Sequence, residues 1–105
     1  MRVLIVDDSA DAVLPLRMLL EVSGHQVTVA LDGKSALAHA SETFDAVLCD
    51  LRLPDMPGEE VARAIGQHPR LVAMTGMPRE QVPACFTHYL RKPVDFDDLQ
   101  RILQG

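Results

Sequence analysis

Tryptophan is absent, tyrosine occurs once and phenylalanine three times. So few rings leave no stacking platform for nucleobases. Cysteine occurs twice, as Cys49 and Cys85, too few for a disulfide framework in 105 residues. A reducing cytoplasm is the expected compartment. No apolar run approaches the roughly 20 residues of a bilayer span. The opening Met1-Arg2-Val3-Leu4-Ile5-Val6 turns acidic too soon for a signal peptide. Cations are in deficit as well: 10 Lys and Arg face 15 Asp and Glu, a net charge of −5. That balance argues against a phosphate-backbone grip on nucleic acid. It suits a partner that is basic or that brings a cation. Repeats, low-complexity tracts and linkers are also missing, so a single domain over residues 1–105 is expected.

What the chain does have is an alternation. Short apolar runs recur at Val3-Leu4-Ile5-Val6, Val27-Thr28-Val29-Ala30, Ala46-Val47-Leu48-Cys49 and Leu71-Val72-Ala73-Met74, with a weaker one at His88-Tyr89-Leu90-Arg91. Their length suits strands, and continuous apolarity suits strands covered on both faces. Between them the period turns helical: Val13, Leu16, Leu19 and Leu20; Ala36, Leu37 and Ala40; Val61, Ala62 and Ile65; Leu99, Ile102 and Leu103. Ser9 or Asp11 can cap the first helical segment, Asp32 the second and Asp95 the last. Gly24 and Gly66-Gln67-His68-Pro69 stand where the first and third should stop. Pro15 costs the first helix a backbone bond unless the helix starts late or kinks. Five strands alternating with helices predict an α/β fold, a parallel sheet with helices on both faces. In such sheets the chemistry gathers at the carboxyl ends of the strands, beside the switch in strand order.

Asp7 and Asp8 follow the first run, Asp50 the third, Thr75 with Gly76 the fourth, and Lys92 with Pro93 the fifth. Each has an ordinary reading alone: a helix cap, turn residues, a surface lysine. Together, at the ends of different strands, they converge on one edge. Three clustered carboxylates repel, and one ammonium leaves two negative charges unbalanced. A hard divalent cation removes the conflict, and Mg²⁺ takes carboxylate oxygens while keeping positions open for phosphate. A carboxylate held there can attack phosphorus. Lys92 can balance charge on the transferred group. Thr75 can hydrogen-bond the product, and Gly76 leaves space for the donor.

These residues resemble the receiver domains of two-component response regulators, the CheY-like superfamily. The matching pieces are Val3 through Asp8, Ala30-Leu31-Asp32-Gly33, Asp45 through Gly58, Met74-Thr75-Gly76 and Tyr89-Leu90-Arg91-Lys92-Pro93. The wording around Thr75-Gly76 and Lys92-Pro93-Val94-Asp95 is most similar to receivers of hybrid histidine kinases. The resemblance implies a flavodoxin-like, doubly wound five-stranded parallel sheet of order 2-1-3-4-5. It implies phosphotransfer from a sensor histidine kinase, or from a histidine phosphotransfer domain, to Asp50. Asp8 would then bind Mg²⁺ directly and Asp7 through a water, with the Arg52 carbonyl completing the protein ligands. Lys92 would pair with phosphoryl oxygens, and Lys92-Pro93 would be a candidate cis peptide. Thr75 and Tyr89 would be the switch pair. Turnover would be limited to self-phosphorylation and self-dephosphorylation, so no enzyme is expected, and the output would pass to a downstream target protein.

The chain departs from the family pattern in one region. Thr75 and Lys92 lie 17 positions apart, fewer than is usual, and Pro78 and Pro83 fall between them. The fourth helix is expected to be short or irregular. The stretch from Asp50 to Thr75 is also trimmed. Among other residues, Cys49 and Met74 are expected in the core, and His25, His39, His68 and His88 in solvent with no metal role. Gly58 is expected to use its freedom at φ > 0. Arg52 and Met77 occupy positions that tune phosphate lifetime in the family. Three competing readings are weaker. A phosphorylation-independent pseudo-receiver has no need of all five site residues. An aspartyl-phosphate phosphatase would place an acid where Arg52 stands. A flavin site would need a Gly- or Ser/Thr-rich loop after the first strand.

Overall fold

A computed structural model of the chain describes residues 1–66 and 70–104. The order is β1 (Arg2–Val6), α1 (Ala10–Val22), β2 (Gln26–Ala30), α2 (Gly33–Leu37), β3 (Ala46–Asp50), α3 (Gly58–Ile65), β4 (Arg70–Thr75), a 3₁₀ turn (Arg79–Gln81), β5 (His88–Arg91) and α4 (Phe96–Gln104). All five strands are parallel, in the order β2-β1-β3-β4-β5. This is the flavodoxin-like sheet the resemblance implied.

Pleating divides the strand residues between two cores. Leu4, Val6, Val47, Cys49, Leu71 and Ala73 face the side of Ala36, Val61, Ala62 and Ile65, so α2 and α3 cover it. Val3, Ile5, Ala46, Leu48, Val72 and Met74 face Val13, Leu20, Leu99 and Leu103 on α1 and α4. β1, β3 and β4 are covered on both faces, which is why their runs are apolar without alternation.

The expected boundary signals operate. The Ser9 hydroxyl accepts from the Ala12 N–H at 3.3 Å and caps α1. Asp32 accepts from the Ser35 N–H at 2.7 Å, and Asp95 from the Asp97 N–H at 2.8 Å. Gly24 and Gly66 take positive φ, +94° and +82°, where α1 and α3 end. Gln67, His68 and Pro69 lie outside the described residues. α1 runs from Ala10 through Pro15, so the proline sits inside the helix and removes one donor there.

Three expectations need correction, and one, the short or irregular fourth helix, is met. The second helix ends at Leu37 and does not reach Ala40. The fourth helix is reduced to the single 3₁₀ turn, because Pro78 and Pro83 bracket too few residues for α-helical turns. Gly58 does not have positive φ. It opens α3 so close to the preceding strand that a Cβ would lie 2.1 Å from the Asp50 carbonyl oxygen. The third correction concerns the histidines, for His25, His39 and His88 are half-buried rather than in solvent. His39 pairs with Glu42, which also takes the Arg2 guanidinium at 2.9 Å. The His39 bond, with Arg2 behind it, holds the Glu42 carboxyl below its ordinary range.

Candidate functional site

β1 is flanked by β2 on one side and β3 on the other. The switch in strand order therefore falls at its carboxyl end. There the chain leaves the sheet at Asp7 and Asp8, while Asp50 is the last residue of the neighbouring β3. One carboxylate oxygen from each of Asp7, Asp8 and Asp50 lies within 4.8 Å of the others. Asp7 is only 2% exposed, Asp50 is partly buried and Asp8 is open to solvent. β4 ends beside them in the buried Thr75, and the chain leaves β5 at Lys92.

The Lys92 ammonium donates to Asp7 Oδ2 at 2.9 Å and to Asp50 Oδ2 at 3.1 Å. Burial is the largest single influence on this group and pulls its pKa down. The hydrogen bonds and charges of Asp7 and Asp50 together outweigh it, so the pKa stands above the ordinary lysine value. Backbone donors hold the remaining oxygens. The Ser9 N–H reaches Asp7 Oδ1 at 3.0 Å, and the Arg52 N–H reaches Asp50 Oδ1 at 3.2 Å. The Asp7 and Asp50 carboxylates are thus aimed, and Asp50 lines an open cleft of about 300 Å³ with Arg52, Thr75, Gly76 and Met77.

Thr75 Oγ1 accepts from the Met77 N–H at 3.1 Å, which leaves its hydroxyl proton free to be donated elsewhere. The Tyr89 hydroxyl donates to the Met77 carbonyl at 2.8 Å. The expected switch pair is therefore joined through one residue. Arg52 reaches across the cleft, its guanidinium 3.7 Å from the Met77 sulfur. The Lys92-Pro93 peptide is cis. Cys49 and Met74 are core residues. Burial first, then the charges of Asp50 and Asp7, pushes the Cys49 thiol up to about 12, so it stays protonated beside Asp50.

The donor set suits a hard divalent cation. Three acid groups, all oxygen donors, meet beside one ammonium, and one edge of the group is open. Sequence reasoning brought Asp7, Asp8, Asp50, Thr75 and Lys92 together correctly. It missed Asp55, whose carboxylate accepts from the Gly33 N–H at 2.8 Å and the Lys34 N–H at 2.9 Å. Those bonds from Gly33 and Lys34 keep the Asp55 carboxyl below its ordinary range. No local pattern signals a contact over 22 positions.

Comparison with known proteins agrees with this geometry. Residues 3–104 match the response regulator receiver domain family. The transcriptional regulatory protein ZraR of Salmonella typhimurium is 36% identical over 97% of the chain, which spans 25% of that protein's length. The CheY-like receiver domain from Methylobacillus flagellatus superposes with a TM-score of 0.86 at 32% identity, covering 99% of this chain and 96% of the other. The response regulator TrrA from Thermotoga maritima, solved in complex with Mg²⁺-BeF, gives 0.86 at 26% identity, covering 98% and 96%. The acid cluster sits at the carboxyl ends of β1 and β3, and with the family match over residues 3–104 and near-complete structural coverage of both chains the assignment is plain: this chain belongs to the response regulator receiver domain family.

Proposed function

We propose that the chain accepts a phosphoryl group on Asp50 from a phosphohistidine of a sensor histidine kinase or a histidine phosphotransfer domain. An Asp50 carboxylate oxygen attacks phosphorus as the N–P bond breaks. The electron pair stays on the imidazole, which takes up a proton. Asp7, Asp8, Asp50 and the Arg52 carbonyl would hold Mg²⁺. When bound, the ion offsets the carboxylate repulsion and the charge on the phosphoryl oxygens. Lys92 turns from Asp50 to a phosphoryl oxygen, and the Thr75 hydroxyl donates to another. Thr75 then gives up the Met77 N–H, and the change reaches Tyr89 through the Met77 carbonyl. A surface around β5 is thereby switched for a downstream target protein. The protein acts in the cytoplasm and catalyses only its own phosphorylation and dephosphorylation.

One observation carries the reading. Lys92 and the acids come from three separate strand ends and still meet at hydrogen-bonding distance. A structural ion pair needs two groups, and a third, exposed carboxylate beside it adds only repulsion. The test is beryllofluoride with Mg²⁺, followed by ¹⁹F NMR. An adduct is expected on the wild type and none on Asp50→Asn. An unreactive wild type, or an equal adduct on the variant, ends the proposal. The reduced fourth helix favours a second reading, a partner-binding module indifferent to phosphate. It predicts a partner whose affinity is the same with and without beryllofluoride.

A further inference from the structure

The loop from Leu51 to Pro57 carries the Arg52 backbone and is fastened at both ends. At its base the Gly58 N–H donates to the Leu51 carbonyl at 2.9 Å, and Arg52 bridges to Pro57. At its tip Asp55 takes two backbone N–H groups from the start of α2. Met56 packs there too, so closely that a Cβ on Gly33 would lie 2.3 Å from its Cγ. An exposed carboxylate is not needed to end this helix, since Asp32 already caps it through Ser35. The two-point clasp spans 22 positions and holds one loop only.

We infer that Asp55 is a positioning residue for cation binding at the acid cluster, acting by pinning the Leu51–Pro57 loop so that the Arg52 backbone stays beside Asp50. The Arg52 N–H that steadies Asp50 and the Arg52 carbonyl offered to the ion belong to adjoining peptide groups, so one displacement moves both. Loss of the clasp lowers affinity for Mg²⁺, while the chemistry at saturating Mg²⁺ proceeds at its usual rate. This inference rests on the proposed phosphotransfer reading.

The experiment compares the wild type, Asp55→Ala, Asp55→Asn and Asp32→Ala. Mg²⁺ binding is followed by amide NMR, and phosphorylation by acetyl phosphate is measured against Mg²⁺ concentration. Asp55→Ala loses both acceptors and should bind Mg²⁺ roughly tenfold more weakly, the scale on which outer partners of a metal site act. Its rate at saturating Mg²⁺ should stay within about twofold of wild type, as expected for a pure positioning role. Asp55→Asn keeps one acceptor, should fall between, and serves as the readout if Asp55→Ala does not fold. Asp32→Ala weakens the same helix without touching the loop, so its melting temperature should drop while its Mg²⁺ affinity stays unchanged. Wild-type affinity in both Asp55 variants, or an equal loss in Asp32→Ala, overturns the inference. A wild type that takes up no phosphoryl group at any Mg²⁺ concentration overturns instead the reading of Asp50, and this inference with it.

Discussion

Lys92 is a strut in the structure and, under the proposed function, a partner of the transferred group as well. Its ammonium joins the carboxyl ends of β1 and β3, and its side chain is still 31% exposed, which under the proposed function leaves it room to exchange one carboxylate for an incoming phosphoryl group. Its raised pKa has a definite consequence for stability. A lysine raised in the folded state contributes fully below its unfolded value of about 10.5, and that contribution disappears as pH climbs through the higher folded value. Lys92→Met removes the group but keeps much of the stem. The wild type's advantage over this variant in urea midpoint should therefore be constant from about pH 7 to 10 and shrink above that range. The subtraction cancels every other group that titrates in both proteins. An advantage that widens above pH 10 would mean that the ion pairs do not stabilise the fold.

At the scale of elements, most of the architecture was legible because each element carries its own local signal. The β1, β3 and β4 runs are apolar throughout, and caps and glycines mark the helix ends. Convergence of the site was legible too, since a parallel sheet sends every carboxyl end to one edge. Contacts between distant segments were not. The Asp55 clasp, the Arg2–Glu42 ion pair and the true need for Gly58 depend on which distant segments meet. Gly58 and Gly24 separate the two uses of glycine. Gly24 needs its positive φ and faces open space, so Gly24→Ala should cost about 1 kcal/mol, a conformational penalty only. Gly58 has ordinary φ, yet a methyl there meets the Asp50 carbonyl, so Gly58→Ala must move β3 or α3. Its cost should reach roughly 2–3 kcal/mol, as overpacking does. Beryllofluoride capture should also slow, because Asp50 itself is displaced. Urea unfolding and ¹⁹F NMR check both halves. Equal losses for the two variants would show that backbone freedom, not close approach, selects glycine at position 58.

The whole molecule holds a net charge of −5 and concentrates three of its acids in one corner. Folding brings these groups together, so the apo fold works against part of its own stability. A ligand that binds only the folded state returns it by mass action, with about 2.7 kcal/mol at one hundred times its dissociation constant. In a domain of this size that corresponds to a rise of roughly 10–20 °C in melting temperature. Circular dichroism is the suitable probe, since the chain lacks tryptophan. Asp8 is the exposed member of the cluster and has no share in the Lys92 bonds. Asp8→Asn should therefore melt higher than wild type without Mg²⁺, because a like charge is gone, and gain less than half as much when Mg²⁺ is added. Screening by salt would act differently, falling off evenly with ionic strength and ignoring which cation is present. NaCl at matched ionic strength should reproduce little of the wild-type rise. If it reproduces all of it, the acids at the ends of β1 and β3 merely repel one another and hold no ion.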